Sequence, residues 1–265
     1  MRLLTYNIRE GGVGRAEQIA EVIKAAEPDV VALQEARVPT VVEEIAKRAG
    51  FDFFGSRFSH STGFLSRLPV ANFQWRHPPR TRHAVLEVVL GDSLPRLFVL
   101  HLRAWFSNWT ERQRARELRG LLDGIQEQLK KEERAFAFHL VAGDFNALAP
   151  GEKFDPSPMP RWIRSMVWLS GRDIARTTIQ MMQSGGYADA WRTLHADEEG
   201  QEAQPGYTFP VWNPHVRLDY VFTPKEYAPR FTACEVRRAP REVQTASDHF
   251  PLLVEISTGD QKTRV

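Results

Sequence analysis

Apolar residues along this chain come in short runs broken by polar residues, and the runs follow two periodicities. Segments 2–8, 29–35, 83–90, 96–102, 136–143, 217–223 and 250–256 are brief, apolar and rich in β-branched or aromatic residues, which predicts strands. Between them the spacing lengthens to that of helices. In 14–28 the apolar Ile19, Val22, Ile23 and Ala26 recur at i, i+3, i+4 and i+7 before Pro28 ends the run. A longer helix is predicted from near Thr110, with Thr110 and Gln113 spaced as a capping box and Leu118, Leu122, Ile125 and Leu129 following. A third, over 173–186, is stopped by the paired glycines Gly185 and Gly186. The proline-rich stretch 149–160 reads as a surface loop.

Strands therefore run the length of the chain with helices among them, and neither a linker nor a repeat divides it. One α/β domain over residues 1–265, with at least two sheet layers, is the expected architecture. Composition changes this picture little. A hydrophobic content of 42% with 26% charged residues is ordinary for a globular chain and excludes a disordered or fibrous one. A net charge of +2 permits an anionic partner without requiring one. The single cysteine, Cys234, excludes an internal disulfide framework and a multi-cysteine zinc site. The short apolar run at the N-terminus is not that of a signal peptide, and no stretch approaches the roughly 20 apolar residues of a membrane span. A cytoplasmic protein without stable membrane association is expected.

The informative residues are polar ones at the ends of predicted strands. Asn7 closes the first and Glu35 the second; "VLHLRA" carries His101, "GDFN" carries Asp144 and Asn146, "RLDYVF" carries Asp219, and "SDHF" carries Asp248 and His249. Gathered in one place they would supply carboxylates, carboxamides and imidazoles, an oxygen-rich set suited to a hard divalent cation, Mg²⁺ or Mn²⁺. Each also has a local explanation. Asn7 fits a structural amide, Glu35 a partner for Arg37, His101 a core histidine, Asp144 and Asn146 an Asx turn, Asp248 a turn or cap after Ser247, and Asp219 a partner for Arg217. None of these explains why all of them fall at strand ends.

The blocks "YN", "LQE", "HL", "GDFN", "LDYVF" and "SDH", in this order and reaching residue 249, resemble the metal-dependent endonuclease/exonuclease/phosphatase superfamily. That resemblance implies a four-layer α/β sandwich, two mixed sheets packed face to face with helices outside. It implies Glu35 as main metal ligand, with Asn7 nearby and Asp248 as a second acidic ligand. Asp144 would orient and deprotonate the attacking water. Asn146, one strand step on along the same side, would position the phosphate or that water. His249, its tautomer held by Asp219, would donate to a phosphate oxygen, and His101 would lie across the site as general acid or further phosphate donor. An alternative assignment gives the base role to the His249 and Asp219 pair.

The implied activity is hydrolysis of a phosphodiester, DNA first and RNA second; a monomer is expected, though no residue pattern carries the oligomeric state. "NIR" and "QEAR" resemble the corresponding blocks of pancreatic-type deoxyribonucleases, which makes Arg9 and Arg37 candidate phosphate contacts. Segment 59–70 offers no glutamate to partner His101, and Arg9 stands where abasic-site repair enzymes carry an acid or amide. A sphingomyelinase-like enzyme acting on a lipid or small phosphodiester is the alternative. A silent binding module would show substitution at Glu35, Asp144, Asn146 or His249, and none is substituted. Segment 156–180 mixes Arg161, Arg164, Arg172 and Arg176 with Trp162, Met166 and Trp168, as a surface that grips a phosphate backbone or a lipid interface would. The plainer reading, preferred on sequence, is an amphipathic helix that buries its tryptophans.

Overall fold

The computed structural model describes residues 1–77, 83–91, 94–132, 137–152, 154–169, 171, 173–195 and 206–259. Arg172 and the Leu129 side chain, both named above, and the first residue of the 136–143 segment lie outside the described residues. In chain order the elements are β1 (Arg2–Asn7), α1 (Ala16–Ala26), β2 (Val30–Gln34), α2 (Pro39–Ala49), β3 (Phe53–Gly55), β4 (Thr62–Ser66), β5 (Asn72–Arg76), β6 (Val85–Val89) and β7 (Arg96–His101). There follow α3 (Asn108–Glu132), β8 (His139–Asp144), α4 (Arg161–Leu169), α5 (Thr177–Ser184), β9 (Tyr187–Asp189), α6 (Ala190–Leu194), β10 (Asp219–Pro224), β11 (Phe231–Val236), α7 (Val243–Ala246) and β12 (Leu252–Ile256).

Two mixed six-stranded sheets result, in the orders β11-β12-β1-β2-β4-β3 and β5-β6-β7-β8-β10-β9. Alternation along each strand sorts its side chains between two cores. On β1, Leu3 enters the core between the sheets, while Leu4 and Tyr6 join a second core under α1, α2 and α7. On β8, Leu140 and Ala142 face the other sheet, and Val141 packs under α3 and α5. Three apolar layers thus separate four structural ones, the expected sandwich. Each fully buried Leu, Ile or Val in them contributes roughly 1.5–3 kcal/mol.

The seven strands expected from the sequence are β1, β2, β6, β7, β8, β10 and β12. The third predicted helix begins at Thr177 rather than among the residues that precede it. The Thr110 helix begins two residues early, at Asn108. Its cap is a reciprocal pair three positions earlier than the expected one: Thr110 N–H donates to Ser107 Oγ at 3.1 Å, and Ser107 N–H to Thr110 Oγ1 at 3.2 Å. Nor is 149–160 only a surface loop. Ala149 and Met159 are buried, and Glu152 turns inward to pair with the buried Arg217 at 2.7 Å. Arg217 pairs with Asp189 as well, also at 2.7 Å, so Asp219 is not its partner and is left for another group.

Candidate active site

The polar strand-end residues occupy the positions where each inward-facing apolar series stops. Leu97 and Val99 are followed by His101 on β7; Leu140 and Ala142 by Asp144 on β8; Val221 is preceded by Asp219 on β10. Register then lines them up. His101 is the parallel partner of Asp144, and Asp219 is its antiparallel partner, so the three form one row across the sheet. Gly143 allows the close strand approach beside them, at φ +145°. A Cβ there would stand 2.0 Å from the Leu100 carbonyl oxygen on β7. The row meets the first sheet through Asn7, whose Nδ2 donates to Asp144 Oδ2 at 3.0 Å across the mouth of the sandwich.

Asp144 is the hub. Besides Asn7, it accepts from Asn146 N–H at 2.8 Å and from Asn146 Nδ2 at 3.1 Å, and His101 Nε2 and His249 Nε2 stand 3.7 and 3.8 Å from its Oδ2. Burial is the main reason its pKa rises to about 7; the His249 charge opposes the rise and the Asp219 charge adds to it. Asn146 does not continue the strand as expected. It lies past the end of β8 at φ +49°, closing an Asx turn, and its Nδ2 also donates to the Leu102 carbonyl at 3.1 Å. The two side-chain amide hydrogens are therefore spent, one on Asp144 and one on the Leu102 carbonyl.

His249 reaches the row from the loop before β12. Its Nδ1 lies 2.8 Å from Asp219 Oδ2, and the Phe209 ring packs on it with centroids 4.8 Å apart. Burial alone would lower its pKa, but the charge and hydrogen bond of Asp219, with Asp144 and Asp248 behind, raise it to about 10. The imidazole is a cation at neutral pH. His101 is the opposite case. Burial first, then the charges of His83, His249 and Arg37, push its pKa down to about 3, and the His83 ring stacks on it at 5.6 Å. His101 is therefore neutral at pH 7, and its ring N–H remains available as a donor.

Glu35 and Asp248 lie nearer the surface, their side chains 21% and 22% exposed. Glu10 N–H donates to Glu35 Oε2 at 2.6 Å, and Arg37 Nη2 stands 3.4 Å from the same oxygen. Arg9 N–H donates to Asn7 Oδ1 at 2.9 Å while its guanidinium stands 3.9 Å from Asp248. The two arginines are thus loosely held at the carboxylates.

Several supporting residues escaped the sequence reading. Arg15 donates to the carbonyls of Ile8, Arg9 and Ala246, tying the Asn7 loop to the Asp248 loop. Ser247 Oγ donates to the Asn7 carbonyl at 2.6 Å and accepts from His249 N–H at 3.3 Å. Thr208 Oγ1 accepts from the Leu218 and Asp219 amides at 3.2 and 3.4 Å. Only Ser247, inside "SDH", carried a local signal; the others act across long sequence separations.

Two donor sets are candidates for a divalent cation. Asp144, Asp219 and His249 place one ligand atom each within 4.8 Å of one another, and Asp219 Oδ1 is buried without a hydrogen-bond partner. There the cationic ring, with Nδ1 committed to Asp219, is a poor ligand. Glu35, Asp248 and Asn7 offer oxygens only, the donor type a hard cation takes, and the guanidinium contacts to the two carboxylates, 3.4 and 3.9 Å, are long.

Two packed mixed sheets with a buried Asp, His and Asn set at one mouth define a class of α/β phosphoester hydrolases. Residues 4–249 match the Endonuclease/Exonuclease/phosphatase family, and the chain belongs to it. Exodeoxyribonuclease III of Haemophilus influenzae is 21% identical, over 96% of this chain and 99% of its own. Among solved structures, the 3' phosphatase NExo from Neisseria, bound to product DNA hairpin, matches with a TM-score of 0.69 at 16% identity, covering 97% of this chain and 99% of its own. An AP endonuclease from Archaeoglobus fulgidus matches with a TM-score of 0.68 at 18% identity and the same coverage. These structures share the fold. The finer likeness to pancreatic-type deoxyribonucleases rests on two short blocks alone.

Proposed function

We propose that this protein is a divalent-metal-dependent phosphodiesterase that cuts DNA by attack of an activated water on phosphorus. The observation that carries the proposal is Asp144, buried beside a cationic His249 with its pKa lifted to about 7, a value suited to a general base at neutral pH. Asp144 takes a proton from the water, with Asn7 and Asn146 fixing its carboxylate. His249, held by Asp219, donates through Nε2 to a non-bridging phosphate oxygen. Neutral His101, on the far side of Asp144, adds a second donor. Glu35, Asn7 and Asp248 are the residues that would hold Mg²⁺ or Mn²⁺, which when bound would neutralise charge on the phosphate. Arg9 and Arg37, at the outer edge, meet flanking phosphates of the strand.

DNA is favoured because the relatives named above are DNA enzymes by their descriptions. The same proposal includes one catalytic domain acting as a monomer in the cytoplasm. Among the described residues no helix is long and apolar enough to cross a membrane. A lipid or small-molecule phosphodiester is the second reading, favoured by the exposed tryptophans of α4. Nicking of supercoiled plasmid and hydrolysis of bis(p-nitrophenyl) phosphate, with Mg²⁺, Mn²⁺ or chelator, separate the two. Nicking that is lost with chelator and with Asp144→Ala supports the DNA reading. Cleavage of the small diester alone refutes it in favour of the second.

A further inference from the structure

The tryptophans of α4 are not buried. Trp162 and Trp168 are 50% and 62% exposed, and Val167 is the residue that anchors the helix. The preferred sequence reading of this segment therefore fails, and the surface needs another account. Arg161, Arg164, Ser165 and Trp168 recur at i, i+3, i+4 and i+7, so they share one face of α4. With Pro156 and Val167 that face lines a groove of about 620 Å³. Beside it Trp105, 52% exposed, meets Trp162 edge to face at 5.0 Å, and the Arg103 guanidinium lies over Trp109.

This surface is mounted on the rim of the active site. Val167 packs in a small core with Phe106 from the Trp105 loop, Val216, and Leu218, which precedes Asp219; Ile163 and Phe209 pack against it. Phe209 is the residue whose ring lies on His249, and exposed Trp212 meets it edge to face at 6.3 Å. The groove is thus linked to the His249 ring through one packed aromatic side chain.

We propose that the α4 face and the Trp105–Trp162 pair form a docking platform for an unpaired polynucleotide strand leading into the active site. The inference rests on the DNA reading above and names the state of the strand. Charge complementarity selects the occupant. α4 carries Arg161 and Arg164 and no acidic residue, and Asp155, near Arg164, is turned into its own loop by the two hydrogen bonds it accepts from Ser157 N–H and Oγ. The Arg161 and Arg164 guanidinium groups share one face of α4 with the Trp168 indole, and the Trp105–Trp162 pair adjoins Arg161, a mixture that answers a ligand alternating phosphates with flat bases. A lipid-entering surface would gather its apolar groups at the tip and leave its cations at the margin. Paired bases hide their faces in the stack, so rings this exposed select an unpaired strand.

The test uses the full chain in an Asp144→Asn background, so that the strand is bound and not cut. Fluorescence anisotropy with labelled oligothymidylate and with a blunt duplex reads affinity. Trp162→Ala with Trp168→Ala is expected to weaken single-strand binding by roughly tenfold or more, with a smaller effect on the duplex. Arg161→Gln with Arg164→Gln should flatten the dependence of log affinity on log salt by about 1.4, two phosphate contacts' worth. Both doubles should keep the parent's unfolding temperature, since these side chains are exposed. Unchanged single-strand affinity in the tryptophan double, in a protein that nicks plasmid, overturns the platform and leaves the DNA reading standing. Failure of the parent to bind any polynucleotide, with tryptophan-dependent binding to vesicles of phosphatidylcholine and phosphatidylglycerol, overturns both.

Discussion

Replacing Asp219 by asparagine keeps the shape of the side chain and removes its charge. In the native protein Asp219 Oδ2 lies 2.8 Å from His249 Nδ1, with both residues buried. Holding that ring at about 10 rather than 6.5 means that the charged form is favoured by on the order of 5 kcal/mol. Breaking a buried ion pair costs a similar ~3–5 kcal/mol. Because the folded pKa lies above the unfolded one, this contribution is fully present below pH 6.5 and is lost as pH rises through about 10. In chelator at pH 7, Asp219→Asn should therefore lower urea stability by about 3 kcal/mol, and the gap should close toward pH 10. With the carboxylate gone, burial governs the ring, and NMR titration should find His249 neutral at pH 7. Loss of one charged donor to the phosphate should cut the hydrolysis rate by about 10²–10³ with the metal present. A variant whose His249 stays cationic at neutral pH and whose rate is unchanged would refute the assignment of both residues.

Three other outcomes follow from the same geometry. Asp144 must lose its proton to act as base, so the rate should rise with pH through about 7, or lower with a cation bound; Asp144→Asn should remove this limb and about 10²–10⁴ of the rate. In a Mg²⁺ titration of hydrolysis, Glu35→Gln should need at least about tenfold more metal for half its maximal rate, as even outer partners of a metal site cost that much. Gly143→Ala should drive its Cβ against the Leu100 carbonyl and destabilise the fold by about 3 kcal/mol or more in urea; normal stability would mean that the β7–β8 approach is looser than described.

The central strands other than β4 were legible because burial on both faces leaves continuous apolar runs, as in Leu140, Val141 and Ala142; in β4 the sequence Thr62, Gly63, Phe64, Leu65, Ser66 is too polar at its ends to give one. The edge strands β3, β5 and β11 were not, since exposed residues such as Phe53, Phe73 and Glu235 break any single period. α2 left signals that went unread: Pro39 at its first turn and Gly50 in left-handed conformation at its end. For the site, the residue types and their positions at strand ends were legible, because a polar residue ending an inward-facing series is costly unless something uses it. Their partnerships were not. Asp219 is adjacent in sequence to a chain of local arginine and tyrosine contacts, yet pairs with His249 thirty residues away. Asn146 follows Asp144 by two positions, and only its left-handed backbone shows that its amide turns back on the acid.

That backbone conformation links the fold to the chemistry. Arg9, Glu10, Glu35 and Asn146 all have positive φ, between 49° and 57°, at a cost of about 1 kcal/mol or more each for residues with a Cβ. On β2 the outward series is Val31 and Leu33, so an extended Glu35 would point the same way, into the core under α1 and α2. The left-handed turn breaks the alternation, and the carboxylate instead meets the Glu10 amide at the strand end. Asn146 leaves β8 by the same device and turns onto Asp144. The strain is sustained by bonds the turned residues make with each other and with Arg15, whose guanidinium spans the Ile8, Arg9 and Ala246 carbonyls. The sheets can align one row, His101, Asp144 and Asp219, by register alone. The remaining ligands come from chain that has already left the sheets, and strained turns are how it is brought back over the row.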